Sequence, residues 1–517
     1  MRDQRTLHTL LADTARRVPE AVVFHYRGQV WTYLHLEERV ERCAAGLSKL
    51  GIGRGDTFGI LLRNSPEFVV LFFALARLGA VAVPVNFLER GDRVGYIFAD
   101  AGVKGCLTSR EFLKTVQEAQ THCPSLKHVF LKDGGSDALS FDRLLEPATR
   151  TAGDPSLMSD ALALLIYTAG TTGLPKGVML THGNFMANVE SCRQAIEVGE
   201  KDRFLCLLPM FHSFSWTVNV LLPIRLGSSI VIMESLLPFD PVLKAIWEHH
   251  VTVFCAVPPI FAALTQKVRG LKALALRVVN PVRVAISGAA ALPVAVHKDF
   301  EKAFHIPLLE GYGLTEAAPV VTVNPLHKAR KPGTVGLPIP GVEVKLVDEE
   351  ERSLPTGQVG EVCVRGANVM AGYYKRSEES RASFTRDGWL KSGDLGRFDA
   401  EGYLSIVDRK KDLILVKGLN VYPQEIEHVL EGHPAVAEAA VVGVPDDTGD
   451  EAIRAFVVLK EGRTDAPLTL LAHCRARLAP YKTPNGIEIR AELPKNAMGK
   501  VLKKELRNEA QSKRRRP

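Results

Sequence analysis

Residues Tyr167–Val178 read YTAGTTGLPKGV, and the rest of the chain is read outward from them. Three glycines, three threonines and one lysine lie between an apolar strand expected over Ala161–Tyr167 and a second apolar step over Val178–Leu180. A loop of this kind offers backbone N–H groups, hydroxyl donors and a cation to one polyanion, a triphosphate above all. It is not a P-loop, because Lys176 follows proline and precedes Gly177, whereas that motif needs G-x-x-x-x-G-K followed by Ser or Thr. A solvated turn between strands accounts for Gly173 and Pro175 but not for the lysine and the hydroxyls together.

A chain of 517 residues with 46% hydrophobic content is long enough for several domains and has ample core material. Its net charge of +7 is concentrated at the end, where Lys503, Lys504, Arg507, Lys513, Arg514, Arg515 and Arg516 face only Glu505 and Glu509. That is a short solvated tail, at most weakly attracted to an anionic membrane or to an anionic cofactor, and not a nucleic-acid footprint. The eight cysteines have no C-x-x-C spacing and form no His/Cys cluster, so reduced thiols in a cytoplasmic protein are expected. The N-terminus lacks the apolar core of a signal peptide. The most apolar run, Phe68–Ala76, is stopped by Arg77 and is too short to span a bilayer. Peripheral contact with the inner membrane face and a homodimer stay open.

Short β-branched strands alternate with amphipathic helices, which predicts α/β architecture with parallel sheets. Ser228–Met233, Pro241–His249 and Thr252–Val257 form one such unit, and Val282–Ser287 followed by Pro293–Phe304 forms another. From about 335 to 408 the strands crowd together, as in a small β-barrel-like unit. After Asp408 the charged junction RKKD precedes a fresh α/β pattern. The expected division is therefore 1–409, with two parallel-type α/β subdomains and the β-rich unit, and a small mobile α+β domain at 410–517.

Further segments carry chemistry. Glu310–Glu316 reads EGYGLTE, in which Gly311 and Gly313 free the backbone and leave Tyr312 as a flat face for a base. Thr315 can donate to a phosphate, and Glu316 is a hard oxygen ligand for Mg2+. In SGD, the two oxygens of Asp394 suit two vicinal hydroxyls. Near the end, LPKNAMGK puts Lys500 on a loop where a cation can meet developing negative charge.

Taken in order, these segments resemble the adenylate-forming superfamily, which includes acyl-CoA synthetases, peptide-synthetase adenylation domains and firefly luciferase. The resemblance runs from Trp31 to Lys500. It implies that Thr168, Gly170, Thr171, Thr172, Gly173 and Lys176 hold phosphates, and that Gly288, Ala289, Gly311 and Tyr312 surround adenine. It also implies Thr315 on the α-phosphate, Glu316 on magnesium, Asp394 on ribose and Arg409 on ribose or phosphate. Lys411 takes the hinge position and Gly418 lines the pantetheine tunnel. Three departures occur: Ala169 stands where serine is commoner, Asn496 where threonine is, and Met498 where serine is.

The implied reaction joins a carboxylic acid to CoA at the expense of ATP. The acid is sought in Pro209–Trp216, PMFHSFSW. No anionic residue is present there to hold a substrate ammonium. By resemblance His212 lies beside the reacting carboxylate and Trp216 matches the acyl gate of bacterial long-chain fatty-acid ligases. Helical spacing is expected to put these two rings on one face. Phe214, Val257, Pro258 and the alanines after Glu316 keep the surroundings apolar. A medium- to long-chain fatty acid is the expected substrate. The alternatives are an aryl, coumarate-type CoA ligase, a fatty acyl-AMP ligase loading a carrier protein, and a non-catalytic binder.

Overall fold

Runs of β-branched and aromatic residues that are buried on both faces form mainly parallel strands, as their lack of polar alternation requires. The computed structural model describes residues 6–135, 138–146, 156–169, 174–235, 240–267, 280–416, 419–445, 451–496 and 499–514. The chain divides into two compact units, Met1–Val344 with Val364–Leu390, and Lys345–Cys363 with Lys391–Pro517. This differs from a division after residue 409, because the hairpin ending at Arg409 groups with the C-terminal part.

The first unit contains two large sheets. An eight-stranded sheet runs Gly372–Tyr373, Pro175–Thr181, Leu162–Ala169, Val81–Pro84, Thr57–Leu61, Gly105–Thr108, His128–Leu131, Leu139–Ser140. A nine-stranded sheet has Leu308–Gly313, Val284–Ser287, Val253–Ala256, Arg203–Cys206, Ser229–Ile232 and Val22–Tyr26 side by side in parallel. Helices Asp240–Glu248 and Val294–Phe304 connect these strands where the sequence predicts them. One expectation changes: Pro175 and Lys176 begin a strand, antiparallel to Leu162–Ala169, instead of lying in the loop. Proline tolerates the first position of a strand, where its missing N–H costs little.

The apolar run Phe68–Ala76 is the middle of the helix Pro66–Leu78, with Pro66 in the first turn and Gly79 ending it at φ 66°. Phe68, Phe72 and Phe73 are buried, each contributing roughly 1.5–3 kcal/mol of transfer free energy. Arg77 joins Glu37 and Glu41 at 3.0 and 3.2 Å, which offsets the cost of its partial burial. Among the described residues no helix is long and apolar enough to cross a membrane.

In the second unit, Val436–Pro445, Glu451–Leu459 and Gly486–Arg490 form a three-stranded sheet. Ile426 and Leu430 from helix Pro423–Glu431 and Leu470 from helix Pro467–Arg475 pack with Val441 and Val457 in its core. The crowded strands expected as a barrel-like unit form a four-stranded sheet in the order Val342–Val347, Val359–Gly366, Leu390–Phe398, Leu404–Arg409. All eight cysteines are free and buried.

Candidate active site

Parallel strands of open α/β sheets present loops at their C-terminal ends, and ligands bind there. In the nine-stranded sheet, Arg203–Cys206 leads toward Pro209–Trp216, and Val253–Ala256 leads into Val257 and Pro258. Val284–Ser287 leads into Gly288 and Ala289, and Leu308–Gly313 carries Gly311 and Tyr312 at its end. The opposite strand ends border a separate open groove of about 580 Å³ lined by Arg283, Glu301, His305 and Arg330. There Arg283 pairs with Asp202 at 2.7 Å and Arg330 with Glu301 at 2.9 Å.

The first unit joins four of the sequence segments through direct contacts. Lys176 lies opposite Thr168 on the phosphate hairpin, and Tyr373, on the next strand, lies opposite Val178. That pairing sets the Lys176 ammonium 5.5 Å from the centre of the Tyr373 ring. The Tyr373 hydroxyl donates to Glu316 Oε1 at 3.0 Å. Burial, and then the neighbouring Glu316, raise the phenol's pKa, so it stays a donor at neutral pH. Glu316 is fixed further by its carbonyl, which accepts from Met370 N at 2.8 Å. Beside it, Thr315 Oγ1 is 3.4 Å from Ser213 Oγ.

His212 caps the helical stretch that Trp216 lies in instead of standing inside it, and its carbonyl accepts from Trp216 N at 3.0 Å. It is the N-cap of the short helix Ser213–Ser215, and its Nδ1 accepts from Phe214 N at 3.3 Å. Desolvation brings the imidazole down to about 4, so it is neutral at pH 7. The Phe214 ring stands against Gly288, where an added Cβ would come within 3.0 Å. Trp216 begins a π-helical turn, Trp216–Leu221, and is 1% exposed. Its indole packs on Phe68 and Phe72, with centroids 5.3 and 4.4 Å away.

The second unit assembles the remaining charged residues. Asp394 and Arg409 are register partners of one antiparallel hairpin, with Nε and Oδ1 3.2 Å apart. Gly393, inside this strand at φ 73°, takes the left-handed conformation just before Asp394. Lys500 is held by Asn496, whose Oδ1 accepts Lys500 N and whose N donates to Lys500 O, both at 2.9 Å. Asparagine here thus closes the loop by its own side chain. Burial lowers the Lys500 ammonium to about 8, with Arg409 and Lys411 repelling it and Asp394 and Asp412 attracting it. Lys411, in the single turn Lys410–Asp412, is also lowered, first by burial and then by Arg409. Three cations in Coulombic range of Asp394 favour an anionic guest.

Gly170, Thr171, Thr172, Gly173 and Gly418 lie outside the described residues. Sequence reasoning missed Tyr373 and Ser213. Ser213 lay inside a quoted segment, but Tyr373, in AGYYK, gave no signal beyond an aromatic pair after glycine.

Residues 11–374 match the family described as AMP-binding enzyme, and residues 425–500 match the AMP-binding enzyme C-terminal domain. The chain belongs to this family. It falls in the acyl-CoA synthetase branch of these adenylate-forming enzymes. It is 35% identical to a long-chain-fatty-acid–CoA ligase of Escherichia coli O6:H1, covering 98% of this chain and 95% of the relative. It is also 35% identical to a feruloyl-CoA synthase of Amycolatopsis sp, covering 95% and 96%. Among solved structures, ATP-bound MatB from Rhodopseudomonas palustris superposes with a TM-score of 0.90 at 29% identity, covering 98% of this chain and 99% of that one. As an AMP-binding enzyme of this branch, the chain is an acyl-CoA ligase working through an acyl-adenylate.

Proposed function

We propose that this AMP-binding enzyme ligates a medium- to long-chain fatty acid to CoA, releasing AMP and pyrophosphate. The observation that carries the substrate class is the lining of the acid segment. Phe214, Trp216, Val257 and Ala317 are apolar and buried, and the stretch Pro209–Trp216 contains no charged residue apart from a neutral His212. An amino acid or a dicarboxylate needs a counter-charge that this lining does not supply.

A carboxylate is anionic and has no acceptable leaving group, so a thiol cannot attack it. Attack by the carboxylate on the α-phosphorus of ATP expels pyrophosphate and gives a mixed anhydride whose AMP leaves readily. Two anions must approach, so cations and N–H donors have to be aimed at the transition state. Lys176 and Thr168, with the loop residues Gly170, Thr171, Thr172 and Gly173, serve the phosphates in this reading, and Thr315 serves the α-phosphate. The Glu316 carboxylate, oriented by Tyr373, fits Mg2+, which is usually held by one or two carboxylates together with substrate phosphates. That ion, when bound at Glu316, neutralises phosphate charge. Gly288, Ala289, Gly311 and Tyr312 take the adenine, and Asp394 with Arg409 takes the ribose.

CoA thiol then displaces AMP. Both steps need the acyl carbonyl in one place with different partners around it. We place the pivot at Lys411, so that residues 410–517 present Lys500 in the first step and the Gly418 segment in the second. The single turn at Lys410–Asp412 is consistent with a pivot there. An aryl substrate is the second reading, favoured by the equal identity to the feruloyl-CoA synthase. Pyrophosphate release measured over saturated acids of graded length and over cinnamic-type acids, with and without CoA, decides between them. Preference for a cinnamic-type acid over every chain of eight or more carbons would overturn the fatty-acid assignment.

A further inference from the structure

Glu310 is the last fully buried residue of the strand Leu308–Gly313 and is 4% exposed. Its Oε1 accepts from Leu292 N at 2.9 Å, while its Oε2 is buried without a hydrogen-bond partner. The strand partner in register with it is Ser287, whose hydroxyl is likewise buried and unpartnered. Its own carbonyl accepts from Asn324 N at 2.9 Å. Among the described residues no cation pairs with this carboxyl, and burial is what chiefly acts on it.

Its position in the chain gives this carboxyl a role. Ser287 leads into Gly288 and Ala289, and Leu292 ends that same segment. Glu310 leads into Gly311 and Tyr312. One side chain therefore ties the segment 288–292 to the strand bearing the aromatic face, across the two walls assigned to adenine. Ala289 sits at φ 67°, a conformation that the segment must be held in from outside.

We propose that Glu310, as a neutral carboxylic acid, is a positioning residue that sets the spacing of the two adenine walls and thereby the affinity for ATP. This rests on the adenine reading of residues 288–289 and 311–312. Burial pushes the carboxyl up to about 8, in keeping with the neutral form. The groups facing it support the same state. Strands Val284–Ser287 and Val320–Val323 carry no titratable side chain. On the helix Val294–Phe304, buried His297 and partly exposed Glu301 lie 3.6 Å from each other, and Lys298, Asp299 and Lys302 are exposed. Among the described residues, a carboxylate at 310 would have only the Leu292 N–H to stabilise it.

The test is steady-state pyrophosphate release by the full chain with a fatty acid, resolved into kcat and KM for ATP across pH 6.5–9.5, for wild type, E310Q and E310A. E310A is expected to raise KM for ATP about tenfold with kcat changed less than about twofold. E310Q, which keeps a neutral acceptor, should restore KM. The wild-type KM should climb above about pH 8 as the acid ionises, and that of E310Q should not. An unchanged KM in E310A, or a loss in E310Q as large as in E310A, overturns the proposal. Equilibrium binding of a non-hydrolysable ATP analogue against its GTP counterpart separates the two layers. Wild type that fails to prefer the adenine analogue overturns the adenine reading itself. Wild type that prefers it, with E310A equally selective and equally tight, overturns only the part given to Glu310. Circular dichroism melts of both variants guard against a folding defect, and E310Q carries the test if E310A does not fold.

Discussion

Lys500 combines an exposed-loop sequence with a half-buried ammonium lowered to about 8 by burial and by Arg409. Its working form is the charged one, since only a cation stabilises the charge that builds as pyrophosphate leaves. The sign follows directly: the protonated fraction is near complete at pH 6.5 and falls tenfold per unit well above pH 8. The kcat for acid-dependent pyrophosphate release should therefore decline above about pH 8, whereas the Glu310 effect appears in KM. Lys500→Ala should remove that limb and cost about a hundred- to a thousandfold in adenylation, or roughly 3–4 kcal/mol. Supplied acyl-adenylate should still be converted by CoA, because a group acting only in the first transition state leaves the second alone. Nearly normal pyrophosphate release would remove Lys500 from the mechanism. The lysines and acids proposed for this chemistry were named in the sequence through its resemblance to the family's segments. Tyr373 was not, because its meeting with Glu316 depends on a strand pairing between residues 178 and 373 that no local pattern encodes. Glu310 was read as part of a motif, but its burial is a property of the sheet.

At the scale of elements, periodicity placed the helices Asp240–Glu248 and Val294–Phe304 to within a residue, yet misjudged the two ends of the phosphate segment. Lys176 is ladder-bonded strand, in register with Thr168. The pairing of His212 with Trp216 also escaped a helical reading, since the chain caps, makes one turn and then widens into a π-turn. Such widening is common at functional sites. Trp216→Ala removes the bulkiest ring packed on Phe68 and Phe72, at roughly 3–5 kcal/mol if the cavity stays empty. If the indole gates the acyl path, the preferred chain length should shift while KM for ATP holds. A loss of thermal stability with unchanged preference would make Trp216 core packing only. Lys411→Pro leaves the turn's hydrogen bond without a missing donor, since that bond runs from Leu413 N to Arg409 O and does not use the Lys411 N–H. With φ fixed there, adenylation should persist while thioester formation collapses. Equal loss in both half-reactions, measured by pyrophosphate and thioester assays, would move the pivot elsewhere.

Over the whole molecule, the mixed α/β class and the existence of a smaller C-terminal unit were readable from strand texture. The placement of 345–363 and 391–409 with that unit was not, since it follows from which strands pair rather than from composition. The eight buried thiols have a consequence at this scale. Cys363 and Cys474 belong to the second unit and the other six to the first. Burial pushes Cys363 to about 12 and Cys474 to about 11, so alkylation must wait for transient opening that exposes the sulfur and restores its acidity. The protein thus carries an internal set of footprinting sites, needing no engineered label. Iodoacetamide pulses read by peptide mass spectrometry should modify Cys363 and Cys474 on a timescale of their own, at least several-fold apart from the other six. Simultaneous modification of all eight would mean that breathing of the native state is one cooperative event.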